Sequence, residues 1–160
     1  MSDALADQRR RTARRHHLIG WCGLLLFSSL GIALETMHGF KVGFYLDPGQ
    51  RLRRELWTLA HAHGTLLGLI QVGFAAGLPH LGRWSAGRLK LVSFFLLDAT
   101  LLIPLGFFLG GLWPSEGDPW LGILLVPVGA LLLFVAVALT ILSACQAQDQ
   151  SEPPQDQRTV

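Results

Sequence analysis

Five ionisable side chains interrupt the long apolar stretches of this sequence: Glu35, His38, His61, His63 and Asp98. A charge inside a bilayer is costly, so such groups are the first place to look for function. Carboxylate together with imidazole suits zinc, iron or copper, and a single imidazole suits haem iron. The same groups could also pass protons across the membrane. Gln71 and Ser28 are their neutral companions.

Helical spacing sorts these candidates. Ser28, Gly31, Glu35 and His38 recur every three or four residues, which keeps them on one helical face. Trp57, His61, Gly64, Gly68, Gln71 and Ala75 do the same on the next apolar stretch. Faces that mix small and polar residues mark helix–helix seams in lipid. If the two helices pair about Pro48, Gly31 meets Gly64, Glu35 meets His61, and His38 lies near Trp57. The expected metal ligands are therefore Glu35, His38 and His61, and the imidazoles available to a cofactor are His38, His61 and His63.

His61 and His63 stand about 200° apart on a regular helix, so they do not chelate one ion through one face. His63 shares its side with Leu59, Leu66 and Leu67. From there it could reach a third helix, a partner subunit, a flat cofactor or a backbone carbonyl. Asp98 lies about 12 Å along the third apolar stretch from Lys90, at 1.5 Å per residue. Gln71 has a comparable depth, which predicts a Gln71–Asp98 contact, as much helix glue as chemistry. Packing alone competes as the explanation throughout: a Glu35–His61 hydrogen bond worth about 0.6 to 2 kcal/mol would simply tie two helices together. His16, His17 and His80 read as polar flanks at the inner interface. No phosphate loop, nucleophile elbow or zinc-protease motif occurs, and no catalytic residue is identified.

The elements that carry these residues are legible in composition. Of 160 residues, 51% are hydrophobic and only 15% charged, where a globular domain is usually about a quarter charged. The apolar stretches run Leu18–Phe40, Leu56–Leu78, Leu91–Trp113 and Trp120–Ala144, each long enough to cross a ~30 Å hydrocarbon core as a helix. Glu35 and Asp98 are the only formal charges within them. This excludes a water-soluble enzyme and a nucleic-acid module. The fold class expected is an all-α membrane protein, a four-helix antiparallel bundle over residues 18–144. Residues 1–17 form a basic cytoplasmic segment and residues 145–160 a polar disordered tail.

Positive charge sets the direction. With the N-terminus inside, Arg9, Arg10, Arg11, Arg14, Arg15, Arg83, Arg88, Lys90 and Arg158 are cytoplasmic, against Lys41, Arg51, Arg53 and Arg54 outside. The third connection is acidic through Glu116 and Asp118. Both termini are expected in the cytoplasm, in a bacterial inner membrane, with the first helix retained rather than cleaved as a signal. Trp21 and Trp84 would mark the inner interface, and Trp57, Trp113 and Trp120 the outer one. Asp47-Pro48 and Asp118-Pro119 read as capped helix starts, and Pro104 and Pro127 as kinks. Gly106 and Gly110 signal close packing, within the bundle or between protomers, and Cys22 and Cys145 form no disulfide.

The Glu35-x-x-His38 spacing resembles one half of the motif of di-iron carboxylate bundles, although no second Glu-x-x-His is present. Three functions compete. The first is a metal- or haem-binding protein built on Glu35, His38 and His61, with Arg51, Arg53 and Arg54 as a cationic outer rim. The second is an accessory or assembly subunit of a larger membrane complex, or a homo-oligomer. The third is a proton-coupled carrier using Glu35 and Asp98.

Overall fold

A computed structural model describes residues 3–80, 84–114 and 117–148; Arg83, Glu116, Arg158 and the expected tail beyond 148 lie outside them. The described residues are helical almost throughout, as α1 (Asp3–Gly39), α2 (Gly43–Leu46), α3 (Arg51–Gly77), α4 (Ala86–Gly110) and α5 (Leu125–Gln148). Short 3-10 turns, Pro48–Gln50 and Leu121–Leu124, lead into α3 and α5. The four long helices are each long and apolar enough to cross a membrane.

The first helix begins fifteen residues before the apolar stretch does. Residues 4–15 contain no Gly or Pro, Asp3 lies in the first turn, and Asp7 pairs with Arg11 one turn on, so nothing stops the helix from running back through the basic segment. At 37 residues α1 is about 55 Å long, well beyond the hydrocarbon thickness. Its N-terminal end, the inner one in the expected orientation, packs against the ends of α3 and α4. The side chain of Gln8 donates to Ala86 O and that of Arg9 to Leu78 O. At its C-terminal end, the outer one in that expected orientation, Lys41 takes a left-handed conformation (φ 53°) and the Val42 N–H returns to Met37 O, closing the helix.

The long helices bundle as a row. α1 packs on α3, α3 on α4, and α4 on α5. The backbone of α1 meets that of α4 only sparingly, and among the long helices the α5 backbone comes close to α4 alone, while Leu132, Leu133 and Ala136 of α5 join buried clusters that α3 also lines. Close approach of α1 to α3 comes at glycines. A Cβ on Gly20 would meet Gly68 O and Val72, one on Gly31 would meet the His61 ring, and one on Gly64 the Phe27 ring. On the other side Gly106 takes Val126 and Gly110 takes Ile123, so the Gly-xxx-Gly step joins α4 to the start of α5 and the turn before it, within the chain. Buried Leu78, Trp84, Leu89 and Val92 form an inner core, and Leu34, Tyr45 and Trp57 an outer one.

Several local expectations are corrected by this packing. Trp84 and Trp57 are buried against other helices instead of being exposed on the bundle surface, Trp57 donating to Phe108 O (3.1 Å) and stacking on the Phe108 ring. The Asp47 carboxylate makes no cap hydrogen bond, and α4 instead starts on Ser85, which accepts from Arg88 N. Trp120, not Asp118, is the N-cap of the turn that leads into α5. Pro127 is the third residue of α5, where a missing N–H costs nothing, so it causes no break.

Candidate functional site

Two polar assemblies lie on the α1–α3 seam. The inner one centres on His16, which is fully buried rather than an interfacial flank. Its Nδ1 meets Gln71 Oε1 and its Nε2 lies 2.7 Å from Ser93 Oγ. Arg15 Nη2 is 2.5 Å from the same Ser93 oxygen. Gln71 Nε2 donates to Leu96 O (2.9 Å) and Thr100 Oγ1 (2.6 Å), and Thr100 donates to Leu96 O.

Donor and acceptor capacity sets the direction of this chain. Arginine only donates, so Ser93 accepts from Arg15 and turns its own hydroxyl proton to His16 Nε2. The Gln71 oxygen only accepts, so His16 carries its proton on Nδ1. A neutral His16 thus satisfies every bond, and three helices are joined through it. The predicted Gln71–Asp98 contact does not form. Gln71 is committed to His16, Thr100 and Leu96, whereas Asp98 is half-buried with no hydrogen bond or ion pair among the described residues. A signal for His16 was present in the sequence: stepping back along the seam from Gly31 through Phe27, Gly23 and Gly20 lands on it.

The outer assembly contains the predicted ligands. Glu35, His38 and His61 line one concavity of about 540 Å³, together with Ser28, Tyr45 and Thr58. The register differs from the expectation by one helical turn. Gly31, not Glu35, stands over the His61 ring, and Gly64 stands over Phe27 rather than Gly31. The glycine contacts set this register, while α2 takes up the slack of the connection and buries Tyr45. His61 Nδ1 donates to Phe27 O (2.6 Å), leaving Nε2 without a partner among the described residues. Glu35 and His38 are exposed on α1, with no hydrogen bond or ion pair among the described residues. Among those residues no three His, Cys, Asp or Glu side chains converge to hold a metal ion. His63 points elsewhere: its Nδ1 donates to Leu59 O (2.9 Å) and its ring lies 4.8 Å from that of Phe107 on α4.

The cationic outer rim is also revised. Arg53 is buried and donates to Gly111 O, Phe44 O and Leu112 O at 3.1–3.2 Å, with its guanidinium 4.3 Å from the Phe44 ring centroid. Two of those carbonyls close the C-terminus of α4, where a cation complements the helix dipole. Arg54 donates to Tyr45 O and Asp47 O. Arg51 pairs with Glu55 on the surface. Arg53, with all three of its nitrogens bonded to carbonyls, is not free to receive an anion, whereas Arg54 holds the connection before α3 through Nη1 alone. Compared with protein-family models, with curated proteins and with solved structures, the chain matches none.

Proposed function

We propose that this chain is an accessory subunit of a larger membrane complex, docking on another polypeptide through the outer half of α1. Its four helices cross a bacterial inner membrane antiparallel, with both termini in the cytoplasm. Nine basic residues on the inner side against four on the outer side support that orientation. The observation that carries the functional reading is the exposure of Glu35 and His38 on a membrane-crossing helix, without partners among the described residues. Ionisable side chains within spans almost always face protein or a water-filled cavity. A polar face on an edge helix calls for a second surface to cover it. Purification in mild detergent should give an assembly larger than the protomer. Glu35→Ala with His38→Ala should dissociate it while the circular dichroism of the protomer is unchanged. A protomer that migrates alone from the native membrane would sink this reading.

A metal- or haem-binding role is the second reading. What favours it is His61, whose Nδ1–H is held by a backbone carbonyl while Nε2 has no partner among the described residues, the arrangement usual for a ligating imidazole. Glu35 and His38 line the same concavity. An absorption spectrum and metal analysis of the purified protein test it, and a colourless, metal-free preparation of normal stability would exclude it.

A further inference from the structure

The sparing contact between α1 and α4 leaves a crevice along their length, and its two ends differ in chemistry. At the inner end a cavity of about 670 Å³ is lined by Asp7, Arg11 and Arg15 from α1 and by Lys90 and Ser93 from α4. Three cations face one carboxylate there. Asp7 is already paired with Arg11, and Arg15 reaches the Ser93 hydroxyl. Further along, the same two helices enclose about 610 Å³ of almost wholly apolar space. Leu18, Cys22 and Leu26 line it from α1, and Leu97, Leu101 and Leu105 from α4.

The two cavities follow each other in register. Leu18 comes three residues after Arg15 on the same face of α1, and Leu97 four residues after Ser93 on the same face of α4. The apolar stripe from Leu18 to Leu30 is about 18 Å long at 1.5 Å per residue, a little more than half of a ~30 Å hydrocarbon core. Ser93 lies about 10 Å inside the start of α4, within reach of a lipid phosphate for long basic side chains that extend toward the headgroups.

We infer that this crevice is a binding site for one anionic phospholipid, its phosphate held by Arg11, Arg15 and Lys90 and an acyl chain lying between α1 and α4. A cationic mouth continuous with an apolar groove one leaflet deep fits a lipid anion better than a free ion, which has no use for the groove. The site is separate from the outer concavity and does not depend on the role proposed for it.

Native mass spectrometry of the full chain in a non-ionic detergent tests the inference, using phosphatidylglycerol, phosphatidylcholine of the same acyl chains, and inorganic phosphate as probes. Phosphatidylglycerol should be retained in preference to phosphatidylcholine. Arg11→Gln and Lys90→Gln, both at exposed positions, should each reduce that preference roughly five-fold. Leu101→Trp should reduce retention of phosphatidylglycerol by filling the groove, with the cations intact. Equal retention of the two lipids, or inorganic phosphate displacing the lipid, would overturn the assignment. So would a lipid-free dimer, which would place a second copy in the groove.

Discussion

The inner and outer polar groups share the α1–α3 seam, yet they are completed differently. Around His16 both ring nitrogens and the Gln71 amide find partners on three helices, and the imidazole is fully buried within the protein. Around Glu35 the same seam opens into a concavity where, among the described residues, the side chain of His61 is tied down and those of Glu35 and His38 are not. The difference follows from the row arrangement. The inner end of α1 reaches α4 through Ser93, whereas further out the two helices part and α1 becomes an edge. A satisfied network inside a membrane acts as glue. An unsatisfied one at an edge marks a surface with work still to do.

The sharpest test of that contrast is Gln71→Ala. It strands the His16 donor and removes the bond to Thr100, and should cost about 3 kcal/mol in detergent unfolding. A loss no larger than that of an exposed residue would break the comparison. Arg53→Ala comes next, at about 2 kcal/mol, because three carbonyls lose a charged donor. Arg53→Lys should recover less than half, since one ammonium cannot span three acceptors, and the fluorescence of neighbouring Trp57 reports the change. Gly31→Ala drives a methyl into the His61 ring and should cost about 1 to 2 kcal/mol, with loss of the ordered Nδ1 proton signal in NMR. Smallest of all, Glu35→Gln should change protomer stability by less than about 0.5 kcal/mol. A larger effect would show that the outer group is also glue, and would remove the ground for a partner there.

Much of this was open to inspection in the chain itself. The apolar stretches, the isolation of Glu35 and Asp98, and the small-and-polar seam faces all follow from residue type and helical period, which are local properties. The same logic extended one turn further would have reached His16. Its position two residues before the apolar stretch at Leu18 gives it the look of a flank, although hydropathy does not limit a helix that has no Gly or Pro to stop it. Arg53 was misplaced for a related reason. A basic residue near a membrane surface is ordinarily solvated, and only the folded C-terminus of α4 supplies carbonyls enough to bury it.

Sequence alone therefore determined the number of spans, the seam faces and which side chains are unusual in their surroundings. These depend on periodicity and on the cost of charge in lipid, and neither requires a partner helix. The tertiary structure decided register, the open row of helices and the fate of each polar group. Register turned on where glycines let backbones approach, a competition among contacts far apart in the chain, and it moved Glu35 one turn past His61. Gln71 meets α4 at Leu96 and Thr100, and Asp98, about 200° around that helix from both, faces away from it. No spacing along a single helix encodes the one opposite.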